Sequence, residues 1–231
     1  MSARARTRGV VVAIDGPSGS GKSSTSRGVA RRLGLRYLDT GAMYRAMTWW
    51  MLRHDVSVHD PAAVAERCHE PVIETGTDPF HPTITVDGRD VAAAIRTPEV
   101  NAAVSPVSAV PQVRARLLEL QHEAIAAALD GVDGVGIVVE GRDIGSVVAP
   151  DADVKVYLTA DASARAARRA AEEGGADVAA TESSLLARDR IDSTRTASPL
   201  VIAEGAVHID STPYSLEEVV DLIAGMVEAA G

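Results

Sequence analysis

Cysteine is all but missing from this chain: Cys68 is the single one in 231 residues, so no disulfide can form within the chain, which fits a reducing cytoplasm. No run of apolar residues reaches the length a bilayer core requires. No hydrophobic segment lies between the arginines of residues 1–8 and the first apolar run at 10–14. Secretion and membrane insertion are therefore not expected. Lysine is nearly absent too, with Lys22 and Lys155 the only two, so every other fixed cation is an arginine. Positive charge is also outweighed. The formal net charge of −9 argues against a general nucleic-acid binder, whose affinity comes from neutralising many phosphates at once. An anionic ligand must be met by a local cluster, and arginine offers planar, permanently charged forks suited to phosphate. With 46% hydrophobic residues the chain can build one sizeable core, as one domain or one domain with an insertion.

What is present begins with Gly16-Pro17-Ser18-Gly19-Ser20-Gly21-Lys22-Ser23, entered from the apolar run Val10-Val11-Val12-Ala13-Ile14. This is a G-x-x-x-x-G-K-[ST] phosphate loop between a strand and a helix, the setting that gives the pattern its meaning. The glycines let consecutive N–H groups curl toward phosphate oxygens, and the helix that follows adds its N-terminal partial charge. Lys22 can reach the β- and γ-phosphates, and the Ser23 hydroxyl can sit on Mg²⁺. The nucleotide-binding set is then Gly16, Pro17, Ser18, Gly19, Ser20, Gly21, Lys22, Ser23 and Ser24. The loop implies a nucleoside triphosphate and leaves its use open.

Strands and helices alternate after the loop, which points to a parallel sheet covered on both faces. Helices are expected over 22–33, stopped by Gly34, and over 41–53, with a short strand at 36–38 between them. The pair Trp49-Trp50 reads as helix packing. From Val56 to Pro106 the texture changes to prolines, isolated glycines and short alternating runs. Asp87-Gly88 between apolar stretches is a hairpin signal, so 72–91 is expected to be a small antiparallel insertion. A long helix should cover 111–129. Buried strands are expected at 135–139, 154–158 and 206–209, with helices over 161–173 and 182–192 and a diglycine hinge at Gly174-Gly175. A last helix over 215–229 opens with a capping box, Ser215 and Glu218.

Four polar islands fall at strand ends or in loops, where open α/β sheets bind ligands. They are Asp39-Thr40-Gly41-Ala42-Met43-Tyr44-Arg45; Glu140-Gly141-Arg142-Asp143; Ser105 with Arg114; and Arg188 to Arg195. In the last, Arg188, Asp192 and Arg195, at i, i+4 and i+7, would share a helical face if the helix continues as far as Arg195. Each has a plain structural reading as well: a helix cap at Asp39-Thr40, a turn with a surface ion pair at Glu140–Asp143, a solvated charged face at 188–195. Taken together beside a phosphate loop, Arg45, Arg142, Arg188 and Arg195 make the electropositive pocket that a second, phosphate-bearing substrate would need. Phosphoryl transfer asks the protein chiefly to align donor and acceptor, exclude water and offset charge on the equatorial oxygens. A hinged, arginine-bearing lid serves that end. A kinase of another small metabolite and a slow nucleotide-hydrolysing switch remain alternatives at this level.

The chain resembles the bacterial cytidylate kinases over nearly its whole length. The resemblance rests on Ile14-Asp15-Gly16-Pro17-Ser18-Gly19, Leu38 to Arg45, Gly141-Arg142-Asp143-Ile144-Gly145-Ser146-Val147-Val148, and Arg188-Asp189-Arg190 with Ser198-Pro199-Leu200. It implies an α/β P-loop kinase core with a five-stranded parallel sheet flanked by helices, a small antiparallel insertion domain and a short lid. The core would span 9–59, 106–173 and 191–231, the insertion 60–105 and the lid 174–190. It implies ATP-dependent phosphorylation of CMP and dCMP to CDP and dCDP with Mg²⁺ at Ser23, by a cytoplasmic monomer that engages neither nucleic acid nor membrane. Carried over, the pattern puts Lys22, Arg142 and Arg195 in catalysis, and Thr40, Tyr44 and Arg45 at the acceptor. Arg45, Arg142 and Arg195 would hold phosphates, Ser105, Arg114 and Asp143 the cytosine edge, Arg188 and Asp192 the sugar hydroxyls. Two positions depart from the pattern: Thr40 where serine is common, and Glu140 where aspartate is common.

Overall fold

The computed structural model describes residues 9–130, 134–172, 175, 177–194 and 201–230. Its first half runs β1 (Val10–Asp15), α1 (Lys22–Leu33), β2 (Arg36–Asp39), α2 (Thr40–Arg53), α3 (Pro61–Arg67), β3 (Ile73–Thr75), β4 (Ile84–Val86), β5 (Arg89–Asp90) and α4 (Pro98–Ser108). Then come α5 (Pro111–Asp130), β6 (Gly136–Gly141), β7 (Val154–Thr159), α6 (Ala162–Glu172), α7 (Val178–Thr194), β8 (Val207–Asp210) and α8 (Leu216–Ala230). A single wide helical turn at Ile144–Val148 follows β6. Five strands form one parallel sheet in the order β2-β6-β1-β7-β8, and β3-β4-β5 form a separate antiparallel sheet. Among the described residues no helix is long and apolar enough to cross a membrane.

The parallel strands are continuous apolar runs because both faces are covered. Side chains alternate across the sheet: Val11, Ala13, Ile137 and Val139 enter one cluster, while Val12, Ile14 and Val138 enter the other. The second cluster is closed by α1 and α8, through Val29, Val220 and Ile223. The first is closed by α2 and α5, through Met43, Met47, Met51 and Leu117. It continues without a break into Ile73, Ile84 and Val86, so the antiparallel sheet lies on the same core as the main body.

Local signals act where expected. Gly34 ends α1 in the left-handed conformation at φ 68°. Ser215 and Glu218 exchange hydrogen bonds at the start of α8. Asp87 and Gly88, at φ 52° and 73°, make the tight turn between β4 and β5. Trp50 is indeed a packing residue: its ring stacks on His54 at 3.9 Å, and its Nε1 donates to Asp87 at 3.0 Å, tying α2 to that turn.

The structure departs from the sequence expectations in three places. Residues 61–67 and 98–108 are helical, each with proline at the first helical position and an Asp60 or Thr97 cap before it. The helix expected from 182 starts at Val178 instead, with the Asp177 carboxylate accepting from Ala180 N, so most of the expected lid is helix. Gly175 is left-handed at φ 94°, and its N–H closes the end of α6 by donating to Ala170 O at 2.8 Å; Gly174 lies outside the described residues.

Candidate active site

Three neighbouring strands, β2, β6 and β1, end together, pairing Asp39 with Glu140 and Asp15 with Gly141. The islands at Asp39–Arg45 and Glu140–Asp143 lie at this edge, Arg114 joins it through Asp143, and Asp189 of the island on α7 touches the phosphate loop.

Residues 16–21 cross from β1 to α1. Gly16 has φ 149°, and a Cβ there would fall 2.0 Å from the Leu158 carbonyl oxygen, so no side chain fits. The loop is seated from several directions. Arg142 Nη1 donates to Gly16 O at 2.8 Å, Arg165 Nη1 to Ser18 O at 3.1 Å, and Ser211 Oγ to Ser20 O at 3.2 Å. Asp189, on α7, pairs with Arg165 and accepts from Ser18 N at 3.4 Å. Lys22, buried at the head of α1, donates to Pro17 O at 2.7 Å. Burial, and then the nearby Arg142 guanidinium, hold its ammonium below the usual range.

Ser23 Oγ donates to Glu140 Oε2 at 3.0 Å, and Tyr37 OH donates to Glu140 Oε1. Burial raises the Glu140 carboxyl, and the Asp39 carboxylate adds to that. A buried carboxylate beside a hydroxyl gives hard oxygen ligands, and a cation there would relieve the desolvation that raises the carboxyl. The pair therefore fits Mg²⁺, which takes few protein oxygens and keeps the rest of its shell for phosphate and water. The Glu140–Asp143 segment is thus no surface turn: Glu140 and Asp143 are both buried.

Asp39 caps α2 by accepting from Ala42 N at 2.8 Å, and it also holds Arg45 Nη2 at 3.2 Å and Arg96 at 3.7 Å. The plain reading of this residue as a helix cap holds, and its carboxylate also gathers two guanidinium groups. Arg45 Nε is buried with no hydrogen-bond partner among the described residues. Thr40 Oγ1 donates to Glu140 O at 2.7 Å, so its hydroxyl braces the junction of β2 and β6.

A cavity of about 210 Å³ opens between α2, α5 and the 144–148 turn, with Tyr44, Arg114, Leu118, Gln121, Asp143 and Val147 among its walls. Arg114, partly buried, and Asp143, buried, form an ion pair, and the Arg114 guanidinium lies 5.5 Å from the centre of the Tyr44 ring. Ser105 is buried in α4 behind this wall, and its carbonyl accepts from Ser108 Oγ at 3.0 Å. Ser108 O in turn accepts from Arg114 Nη1 at 3.3 Å, which links Ser105 to the cavity at one remove. The backbone of Arg188 and Asp192 belongs to α7, with their side chains outside the description; Arg195 and Ser198-Pro199-Leu200 lie outside the described residues.

Several residues escaped the sequence reading. Asp15 is the firmest: its two carboxylate oxygens accept from Ile144 N and Gly145 N, both at 2.8 Å, fixing the turn that carries Asp143. Burial pushes its carboxyl up to about 6 from an ordinary 3.8. Between those values the folded protein keeps a proton the unfolded chain has released. Stability from this group is therefore full below pH 3.8 and is lost as pH rises through about 6. Asp15→Asn should flatten that decline, by roughly 2–3 kcal/mol across the window. Denaturant midpoints at pH 4, 5, 6 and 7 measure it; parallel curves for both proteins would remove Asp15 as the cause.

Residues 12–229 match a family model described as cytidylate kinase. A cytidylate kinase of Streptomyces coelicolor is 58% identical over 219 residues, covering 95% of this chain and 93% of that protein. One of Mycobacterium leprae is 46% identical over 224 residues, covering 95% and 96%. Among solved structures, an uncharacterized protein of Eubacterium ventriosum aligns with TM-score 0.50 and 10% identity over 95% of this chain and 99% of that one, a likeness of fold alone.

Proposed function

The chain belongs to the cytidylate kinase family and is a CMP kinase, and from that premise we propose that it transfers the γ-phosphoryl of ATP in line to CMP or dCMP, giving CDP or dCDP. The observation that carries the substrate assignment is the adjacency of Arg142 and Asp143. One residue grips the phosphate loop at Gly16 O, and the next lies on the wall of the cavity, paired there with Arg114. Donor and acceptor sites are thus joined by a single peptide bond.

The loop N–H groups and Lys22 hold the triphosphate, and Lys22 follows charge onto the transferring group. Mg²⁺, held through Ser23 with Glu140 behind it, would neutralise phosphate charge and orient the triphosphate. Arg45, with its unpartnered buried Nε, and Arg142 take the acceptor phosphate. An anionic monophosphate oxygen is already a nucleophile, so no general base is required. In the cavity Asp143 accepts from the N4 amino group of cytosine, Arg114 donates to the neighbouring ring acceptor, and Ser105 supports Arg114 through Ser108. Uracil would set a carbonyl against Asp143 and leave buried polar groups unmatched. By resemblance Arg188 and Asp192 take the sugar hydroxyls and Arg195 a phosphate, with 174–190 as a lid over the core and 60–105 as the acceptor-side insertion. The net charge of −9 and the single cysteine support a cytoplasmic enzyme whose partners are nucleotides, and we take it to act as a monomer.

A panel of nucleoside monophosphates in ribose and deoxyribose forms, assayed with ATP and Mg²⁺, tests this. CMP and dCMP should be turned over at least about 100-fold more efficiently than UMP or AMP. Equal turnover of UMP would refute the base assignment. ATP hydrolysis at the same rate without any monophosphate would instead favour a nucleotide switch.

A further inference from the structure

Gln121 lies two helical turns after Arg114 on α5, and Arg114, Leu118 and Gln121, at i, i+4 and i+7, share the face that walls the cavity. Its side chain is 1% exposed, and its Nε2 is buried with no hydrogen-bond partner in the protein. Polar groups in such positions are nearly always satisfied. Gln121 is itself one of the residues lining the cavity, whose other walls are apolar apart from Tyr44, Arg114 and Asp143. Asp143 can only accept, and Arg114 is already engaged with Asp143 and with Ser108 O. Gln121 Nε2 is thus a donor at the cavity wall that no group among the described residues takes up.

We propose that Gln121 is a further reader of the acceptor base, its carboxamide N–H donating to the N3 or O2 acceptor of a cytosine bound against Arg114 and Asp143. The inference rests on the reading of this cavity as the base site. It adds a specificity-determining residue to that site, one that acts in ground-state binding and takes no part in phosphoryl transfer. Uracil carries a hydrogen at N3, so a fixed donor at that edge also opposes it.

Gln121→Met keeps length and flexibility while removing the donor. It should raise the KM for CMP and weaken CMP binding by calorimetry without ATP, each about tenfold, with kcat within about twofold. The melting temperature of the ligand-free protein should hold or rise, since an unpaired buried group has been removed. An unchanged KM, or a raised KM accompanied by a lowered melting temperature and an equal fall in kcat, would overturn the proposal, the latter marking a purely structural role. Gln121→Glu provides a second readout at constant shape. Its CMP-binding defect should be largest at pH 8 and shrink at low pH, where the protonated carboxyl again has a hydrogen to donate; a defect independent of pH would count against it. Arg114→Ala separates the two levels. If it and Gln121→Met both leave CMP binding intact, the cavity is not the base site and the functional reading fails; if Arg114→Ala alone weakens binding, only the role of Gln121 fails.

Discussion

Lys22→Ala is expected to lower kcat for CMP phosphorylation by about 10³-fold or more, with the KM for CMP changed by only a few-fold. The reason lies in what surrounds the ammonium. Lys22 is buried where α1 begins, held over the loop by Pro17 O at 2.7 Å, with Arg142 close enough to depress its proton affinity. Such a site is a poor place for an ammonium until an anion arrives. The charge of a bound triphosphate reverses the balance, and the interaction strengthens further as charge moves onto the transferring phosphoryl. An interaction that grows toward the transition state appears in kcat, whereas one already complete in the ground state appears in KM. Lys155, the other lysine, is bonded to Glu204 O at 3.2 Å and is committed elsewhere. Steady-state kinetics, with a thermal melt to show the variant is folded, measures the effect; a kcat within tenfold of the parent would exclude Lys22 from this role.

Arg114→Ala should have the second-largest effect, and on two readouts together. Removing the guanidinium strands the Asp143 carboxylate, whose side chain is 7% exposed, as an uncompensated buried charge. Breaking one side of such a pair costs on the order of 3–5 kcal/mol. In the same variant the KM for CMP should rise and the preference for CMP over UMP should fall by at least about tenfold, since the base loses the donor that complements its acceptors. Combining Arg114→Met with Asp143→Leu should recover much of the lost stability and none of the base preference. If Arg114→Ala kept the parental ratio of CMP to UMP turnover, Arg114 would not read the base.

How far the sequence speaks depends on the range of the interaction. The phosphate loop, the cap at Ser215, the stop at Gly34 and the turn at Asp87-Gly88 are each set by residues within a few positions of one another, and they fold as those residues dictate. The helices at 61–67 and 98–108 were equally local, but the six prolines between 56 and 106 invite a reading as loop and hairpin. Pro61 and Pro98 in fact start helices, where no N–H is needed. Pro106 is tolerated two residues before the end of α4. The candidate site divides the same way. Lys22, Ser23, Arg142 and Asp143 stand in compact motifs. Asp15 gains its meaning only from Ile144 and Gly145, 129 and 130 positions away, and Tyr37 from Glu140, 103 positions away. No local pattern encodes those pairings. Gln121 is intermediate: the helix that carries it was expected over 111–129, and only the cavity shows what its Arg114–Gln121 face encloses.

The register that brings Asp39 beside Glu140 and Asp15 beside Gly141 has a practical consequence for redesign. Adjacent strands lie about 4.8 Å apart, a spacing that backbone hydrogen bonds hold and side-chain exchanges barely alter. Under the proposed function, the separation of donor and acceptor phosphates is then set by a ruler of main chain. Under the same proposal the base is judged largely elsewhere, by α5. Changes along the Arg114–Gln121 face of α5 should therefore retune which nucleotide is accepted while the distance over which phosphate travels stays put, making the acceptor repertoire of this scaffold an editable property.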